Sequence, residues 1–185
     1  MRIISGKFKG KLLVSLSDYN IRPTSDRAKE MIFSTLNSIL LKDKRNFIDL
    51  SVLDCFCGTG ALGIEAKSRG SIRVTFIDSI NESLEICKLN CKSLRIFESV
   101  DIIKLDFMND NLDKLNKKFD LFFFDPPYNK FSIDKLMNRA KKIMGYNTYA
   151  VLELPNNNKQ YIFKDFKIIK KKKISKSLFL FLKKI

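Results

Sequence analysis

Hydrophobic positions in the middle of the chain follow two alternating patterns. Short, nearly continuous apolar runs predict buried strands, and runs with apolar positions three or four residues apart predict helices. Strands that are apolar on both faces are typical of a parallel sheet covered by helices on each side. The predicted strands are 51–55, 72–77, 100–105, 119–124 and 148–154, and the helices between them are 60–69, 81–94, 112–115 and 132–143.

The part of the chain before this alternation has a pattern of its own. Residues 2–14 alternate weakly between apolar and polar positions around two glycines, which predicts a short β-hairpin. A helix is predicted over 25–41 by its apolar stripe, with Thr24 or Ser25 able to cap its first turn. The hairpin is therefore expected to be an extension that precedes the sheet.

The last part of the chain predicts two further strands, 161–169 and 177–182. Their connection is short and contains the run Lys170 to Lys173, so the two strands must form an antiparallel hairpin. The sequence thus predicts an α/β fold, with helices on both faces of a seven-stranded, mostly parallel sheet. With an antiparallel strand near its end, this is the class I, Rossmann-like architecture of S-adenosylmethionine-dependent methyltransferases.

Positive charge is concentrated at the two ends of the chain. The net charge is +15, of which residues 1–29 carry +5 and residues 164–185 carry +8. A nearly neutral middle with basic ends indicates a catalytic core flanked by surfaces that bind a polyanion. Two alternatives stay open: the lysines could serve only solubility, and Lys170 to Lys173 could keep an edge strand from pairing with other chains.

Four cysteines and no histidine limit the possible chemistry. Without histidine, serine-hydrolase triads and most metal-dependent hydrolase sites are excluded. The cysteine spacings do not fit a zinc ribbon, so we expect buried thiols and no metal site. No apolar run approaches the length of a membrane span and the N-terminus is too polar for a signal peptide, so a cytoplasmic protein without a membrane partner is expected.

A glycine-rich turn follows the first predicted strand. Gly58, Gly60 and Gly63 have the G-x-G-x-x-G spacing, which alone also fits a site for NAD. Asp54 favours S-adenosylmethionine, because a carboxylate there can meet the methionine ammonium and would gain nothing beside a pyrophosphate. We expect Phe56, inside the turn, to be a further cofactor contact.

Acidic residues also close the second and third predicted strands. Asp78 can accept hydrogen bonds from the ribose hydroxyls, and Asp106 can accept one from the adenine amino group, with Phe107 packing nearby. The carboxyl edge of such a sheet is the side on which ligands bind. The alternative is that these acids only cap the loops or helices that follow them.

The fourth predicted strand ends at Asp125-Pro126-Pro127-Tyr128. Two prolines stiffen this turn, so the Asp125 carboxylate and the Pro126 carbonyl can both accept hydrogen bonds from one exocyclic amine of a base. Tyr128 offers a flat ring on which the base can stack. These four residues are the predicted catalytic loop, and the alternative is an ordinary Asp-Pro turn.

These motifs together resemble the RsmD family of bacterial methyltransferases, which modify N2 of one guanine in 16S ribosomal RNA. The resemblance spans nearly the whole chain and is strongest in the Arg-Pro-Thr segment. The matching segments are RIISGKFKG at 2–10, RPTSDR at 22–27 with Lys29, Glu30 and Phe33 after it, 54–70, and 125–128.

The resemblance implies a substrate and a set of contacts. S-adenosylmethionine would be held by Asp54, Asp78 and Asp106, and the partner would be 16S rRNA or an assembly intermediate of the small ribosomal subunit. We expect a monomer and a single methyltransferase domain over 1–185, with 1–24 as an N-terminal hairpin and RNA-contacting loop. The residues expected to contact RNA are Lys7, Lys9, Arg22, Thr24 and Arg27.

Several alternatives remain open at this point. Arg27 could simply pair with Asp26 or Glu30. The enzyme could methylate adenine N6 or cytosine N4 of DNA or RNA, although the chain shows no target-recognition domain. It could also be a non-catalytic RNA-binding factor on this fold, or an NAD oxidoreductase, for which we find no hydride-handling residue.

Overall fold

Seven strands form one sheet in the computed structural model, which describes residues 1–15, 24–115, 117–127, 131–157 and 159–185. The helices are α1 Asp26–Lys42, α2 Ala61–Ser68, α3 Asn81–Ser93 and α4 Ile133–Ile143, with 3-10 turns at Phe47–Asp49, Phe97–Ser99 and Leu112–Lys114. The strands are β1 Ser51–Cys55, β2 Arg73–Asp78, β3 Val100–Lys104, β4 Leu121–Phe124, β5 Tyr149–Pro155, β6 Phe166–Ile174 and β7 Ser177–Lys184.

The order of the strands across the sheet is β3-β2-β1-β4-β5-β7-β6. Strands β1 to β5 are parallel to one another, whereas β7 pairs antiparallel with both β5 and β6. The predicted fold class is confirmed. Because β1 to β4 run in the same direction, the residues that follow them all emerge at one edge of the sheet, which we call the carboxyl edge.

Apolar side chains fill both faces of the sheet. One cluster lies between the sheet and α1, α2 and α3, and a second lies between the sheet and α4. The run of three phenylalanines in β4 shows the alternation: Phe123 packs toward Phe33 of α1 at 5.6 Å between ring centroids, while Phe122 and Phe124 stack with each other on the opposite face. A continuously apolar strand is thus buried on both sides, as the sequence predicts.

The N-terminal segment is anchored to α2 by a buried carboxylate. Glu65 is fully buried, and its two oxygens accept hydrogen bonds from the backbone N–H groups of Ile4 and Ser5 at 2.8 and 3.0 Å. Arg69, one turn further along α2, pairs with Glu65 at 2.8 Å. The Glu65 charge is therefore balanced inside the protein, and the two N–H groups have a partner that water cannot supply there.

One strand prediction is wrong. The sequence pattern places a strand over 161–169 with the lysine run in the connection, but β6 is Phe166–Ile174 and contains Lys170 to Lys173. Since β6 is the edge strand of the sheet, lysines on it reach water from both faces, and the strand needs no apolar run. The other strands begin and end within two residues of the prediction.

Candidate active site

The turn between β1 and α2 is built on left-handed backbone. Gly60 has φ +81°, and a Cβ atom there would lie 2.7 Å from the Cys87 sulfur. Gly63 allows α2 to approach β2, because a Cβ atom at this position would lie 2.3 Å from the ring of Phe76. Phe56 also has a positive φ of 59°, which is a strained conformation for a side chain of this kind.

Asp54 lies under this turn, almost fully buried in β1. Its carboxylate accepts a hydrogen bond from the Gly63 N–H at 2.8 Å. Residue 60 at the helix N-cap is a glycine and supplies no side-chain cap, so Asp54 satisfies a first-turn N–H from the neighbouring strand. Burial raises the pKa of Asp54 to about 8, opposed by the Gly63 hydrogen bond and reinforced by the charge of Asp78.

Asp78 joins the end of β2 to the same turn. One carboxylate oxygen accepts a hydrogen bond from the Gly58 N–H at 2.9 Å, and the other accepts one from the Ile80 N–H at 3.0 Å. The acid thus holds the glycine turn and the start of α3 at a fixed distance. Two acids from neighbouring strands, Asp54 and Asp78, are brought together here, as the sequence predicts.

Asp106 organises the loop that follows β3. Its carboxylate accepts hydrogen bonds from the Met108 N–H and from the Asn109 side-chain amide, both at 2.8 Å. All three strand-end acids therefore do cap local backbone or loop groups. This does not exclude ligand binding, because each carboxylate oxygen has two lone pairs and can accept a second hydrogen bond.

A residue that the sequence did not single out holds this loop from the other side. Arg139 of α4 donates hydrogen bonds to the carbonyl of Phe107, at 2.5 Å, and to the carbonyl of Asp110. It is a half-buried arginine on a helix otherwise packed by apolar residues. That is a weak signal in sequence, since its partners are backbone atoms of another loop.

Aromatic rings connect the glycine turn to the catalytic loop. Phe107 is 1% exposed, and its ring lies 5.8 Å from that of Phe56 and 5.4 Å from that of Phe124. Its ring therefore supports the site from below and has no open face for a ligand. The half-buried Phe56 ring also lies 6.0 Å from Phe131, which follows the catalytic loop and was missed by the sequence analysis.

The described part of the predicted catalytic loop comes directly after β4. Asp125 is half-buried, Pro126 is buried and Pro127 is exposed, while Tyr128 lies outside the described residues. A cavity of about 560 Å³ opens beside the two prolines, and its walls include Phe131, Tyr161 and Phe163. The rings of Tyr161 and Phe163 are nearly parallel, 6.3 Å apart. A cavity of this size is typical of small-molecule sites.

The residues predicted to contact RNA do not all lie at this edge. Lys7 donates its backbone N–H to the carbonyl of Ser68, the last residue of α2. Because α2 starts at the carboxyl edge and runs away from it, the exposed Lys7 and Lys9 lie near its far end, about 12 Å along the helix. Their contact with RNA stays a prediction, but it would be remote from the glycine turn.

The other predicted RNA contacts, Arg22, Thr24 and Arg27, fall at or just before the start of α1. Arg22 is outside the described residues, Thr24 is half-buried, and Ser25 is the residue whose side chain caps the helix. Arg27 is exposed. Its proposed partner Asp26 pairs instead with Arg2 at 3.0 Å and with the buried Lys29 at 3.2 Å.

One buried amide ties the N-terminal segment to the glycine turn. Asn90 of α3 accepts a hydrogen bond from the Val14 N–H at 2.8 Å and donates to the Val14 carbonyl at 3.1 Å. The same amide donates to the carbonyl of Thr59 at 3.0 Å. The chain entering the predicted RNA-contacting loop is thus connected to the glycine turn through the Asn90 side chain.

The four cysteines are buried and free. Burial raises the pKa of the Cys57 thiol to about 11, so it is not ionised at neutral pH. Among the described ranges, no group of three or more Cys, Asp or Glu side chains could hold a metal ion. Nor does any helix in the described part of the chain have the length and apolar character needed to cross a membrane.

The sheet order, with β7 inserted antiparallel between β5 and β6, defines a class I S-adenosylmethionine-dependent methyltransferase fold. A solved structure agrees: the protein yhhF of Escherichia coli, which bears the name methyltransferase, superposes with a TM-score of 0.80. The superposition covers 100% of this chain and 97% of that one at 22% sequence identity, which shows the fold.

The family follows from sequence. Residues 1–183 match the family model described as conserved hypothetical protein 95. Two relatives come from the Buchnera aphidicola subspecies Acyrthosiphon pisum and Baizongia pistaciae. They are 32% and 33% identical over 92% and 97% of this chain, covering 86% and 91% of their own lengths. Both bear the name Ribosomal RNA small subunit methyltransferase D. The chain belongs to this family, RsmD, and the resemblance noted in the sequence is confirmed.

Proposed function

We propose that this protein transfers the methyl group of S-adenosylmethionine to the exocyclic N2 amine of a guanine in 16S ribosomal RNA. The observation that carries the proposal is the meeting of two groups of residues at the carboxyl edge. The glycine turn with Asp54 and Asp78 lies on one side, and the loop of Asp125 to Pro127 follows the adjacent strand β4. A cofactor and an amine can be held next to each other there.

The residues at the turn fit this cofactor. Asp54 is a buried carboxyl with a raised pKa. It takes part in none of the ion pairs among the described residues, and the methionine ammonium would supply a cationic partner. Asp78 would accept the ribose hydroxyls and Asp106 the adenine amine, with Arg139 holding the Asp106 loop in place. When bound, S-adenosylmethionine supplies an electrophilic methyl group on a sulfonium.

The catalytic loop would orient the nucleophile. An amine on a guanine ring is a weak nucleophile because its lone pair is delocalised, so its orientation matters. Asp125 and the Pro126 carbonyl would accept the two N–H hydrogens and direct the nitrogen lone pair toward the methyl carbon. Transfer would form an N–C bond while the sulfonium C–S bond breaks and leaves a neutral thioether. The proton that the nitrogen loses could go to the Asp125 carboxylate or to water.

The cavity beside the loop would receive the base and its neighbours. The rings of Tyr161 and Phe163 line it together with Phe131, and an aromatic ring adds about 1–3 kcal/mol per stacked base. A base must leave its own stack to reach such a cavity. We therefore expect a target nucleotide that is splayed out of the RNA structure.

The choice of ribosomal RNA rests on charge and on the family. Both ends of the chain are basic, and the named relatives are small-subunit ribosomal RNA methyltransferases. The choice of guanine N2 rests on the resemblance described above. We expect a monomer that acts in the cytoplasm on 16S rRNA or on an assembly intermediate of the small subunit.

Mass mapping of 16S rRNA from cells with and without the gene tests the proposal. We expect one guanine to lose a single methyl group without the gene, and the purified protein with S-adenosylmethionine to restore it. If no methylguanine is lost, the proposal is wrong. A lost methyl on adenine N6 or cytosine N4, or on DNA, would keep the amino-methyltransferase class and correct the base.

Cofactor binding is expected to release a proton from Asp54. With a pKa of about 8 the carboxyl is mostly protonated at pH 6 to 7, and the ammonium favours the ionised form. Affinity for S-adenosylmethionine should therefore rise with pH, by up to about tenfold between pH 6 and 7. Above about pH 8 the gain should stop, because the ligand's own amine loses its proton near there.

Isothermal titration calorimetry in two buffers of different ionisation enthalpy would count the released protons. Asp54→Asn is the matched variant, since an amide oxygen can still accept the Gly63 N–H bond. We expect this variant to bind more weakly and with no proton release. Equal proton release by both proteins would show that Asp54 does not meet the ammonium.

A further inference from the structure

A second basic surface lies on the outer side of the sheet, away from the glycine turn. It is a groove of about 530 Å³ between α1 and the edge strand β6, which we call the α1–β6 groove. One wall is α1, with the hydroxyls of Thr35 and Ser38 and the side chain of Lys42. The other wall is β6, with Lys167, Lys170 and Lys172.

The acid in this groove is already neutralised. Asp43 pairs with Lys183 at 2.6 Å and accepts a hydrogen bond from the hydroxyl of Tyr149. These two contacts hold the pKa of Asp43 below its usual value. Within the described ranges, by contrast, Lys42, Lys167, Lys170 and Lys172 take part in no ion pair. The groove therefore presents ammonium groups that no carboxylate compensates.

The lysine run divides between the two faces of β6. Lys170 and Lys172 are paired with Phe181 and Phe179 of β7, which belong to the α1 side of the core. Lys171 and Lys173 are paired with Leu180 and Leu178, which belong to the α4 side. Because paired residues share a face of the sheet, Lys170 and Lys172 are the two members of the run that point into the groove.

Alternation along a strand puts two of any four successive residues on each face, so it is the α1 wall that separates the two explanations for the run. Lysines that only keep an edge strand from pairing could stand on either face. A binding surface needs lysines that lie opposite a second wall of hydrogen-bonding groups. Lys170 and Lys172 have such a wall in the hydroxyls of α1, and they lie about 7 Å apart along the strand. Repeated ammonium groups facing hydroxyls suit the regularly spaced phosphates of a nucleic-acid strand.

We propose that the α1–β6 groove binds the phosphate backbone of the ribosomal RNA substrate, at a distance from the methylated base. This rests on the proposed function for the identity of the RNA. The groove would add affinity and fix the orientation of the protein on its substrate without reading sequence. It runs along β6 on the face that carries α1, so it lies beside the catalytic core and outside the cavity at Pro126 and Pro127.

Two double variants with the same change of charge test the proposal. Lys170→Gln with Lys172→Gln removes the groove lysines, and Lys171→Gln with Lys173→Gln is the matched control on the opposite face. Binding to a 16S rRNA transcript and to the assembled small subunit is measured from 50 to 200 mM salt. Thermal midpoints and S-adenosylmethionine affinity check that both variants fold as the parent does.

We expect the groove variant to bind rRNA more weakly. Each lost phosphate contact should reduce the steepness of log affinity against log salt by about 0.7–0.9, so the loss of two contacts should reduce it by about 1.5. The control variant should keep the slope of the parent. An equal decrease in both variants, or none in either, would overturn the proposal. A loss of affinity for the assembled subunit alone would overturn it too, because the partner would then be an acidic protein surface.

Methyl transfer by the unaltered protein is scored separately. One outcome is that the unaltered protein transfers no methyl group to rRNA, while the salt slope decreases in the groove variant and not in the control. This outcome would reject the proposed function and support RNA binding by the groove. The other outcome is that the unaltered protein methylates rRNA and the groove variant keeps the parental slope. This outcome would support the proposed function and reject RNA binding by the groove. The two failures are therefore distinguishable.

Discussion

Replacing Asp125 with alanine is expected to abolish methyl transfer while cofactor binding stays close to that of the parent. The carboxylate follows β4, and β1 lies between β4 and the strand that ends at Asp78, so its loss leaves the glycine turn intact. Removing one acceptor that orients the reacting amine should lower kcat by about 100- to 10,000-fold. Single-turnover methyl transfer to rRNA gives the rate, and calorimetry gives the cofactor affinity.

Asp134 offers a matched control for this experiment. It is an exposed acid in the first turn of α4 and lines the cavity beside Pro126 and Pro127, but it does not belong to the predicted catalytic loop. Asp134→Ala should keep the rate within a few-fold of the parent. Asp125→Asn, which retains an acceptor oxygen and loses the charge, should fall between the two. Full turnover by the Asp125→Ala protein would refute the role given to this carboxylate.

Glu65→Ala is expected to lower the free energy of unfolding by about 3–5 kcal/mol. The change leaves the Arg69 guanidinium without its buried partner and strands the N–H groups of Ile4 and Ser5. Both effects destabilise the folded state, because these groups are satisfied by water in the unfolded chain. Urea denaturation measures the change, and protease cleavage near the N-terminus should become faster.

Glu85→Ala is the corresponding surface variant. Glu85 pairs with Lys88 at 2.6 Å on α3, but its side chain is 66% exposed. Exposed pairs of this kind contribute about 0–1 kcal/mol. If Glu65→Ala and Glu85→Ala destabilise the protein equally, then the buried carboxylate does not anchor the N-terminal segment.

Most of the fold could be predicted because its strands are buried on both faces. Burial against an adjacent layer leaves a local hydrophobic pattern in the sequence. Examples are the apolar run around Phe122 to Phe124 and the helix stripe around Phe33. The edge strand β6 could not be predicted in this way. Lys170 to Lys173 have no apolar alternation, and their pairing with β7 is set by contacts across the hairpin.

The site was predictable to the extent that its residues sit at strand ends. Asp54, Asp78 and Asp106 share that position, and parallel strands bring them to one edge. Arg139 and Asn90 were missed because they act on backbone atoms of distant loops, and no spacing in the sequence records those partners. Their roles come from tertiary structure alone.

The position of β7 has a consequence for how the chain can fold during its synthesis. Among the named strands, β6 pairs only with β7, yet β7 is made later. Until residues 177–184 leave the ribosome, the outer side of β5 is open and residues 166–174 have no sheet to join. Open strand edges of this kind are exposed to aggregation. Lys170 to Lys173 would keep residues 166–174 soluble until β7 is available for pairing.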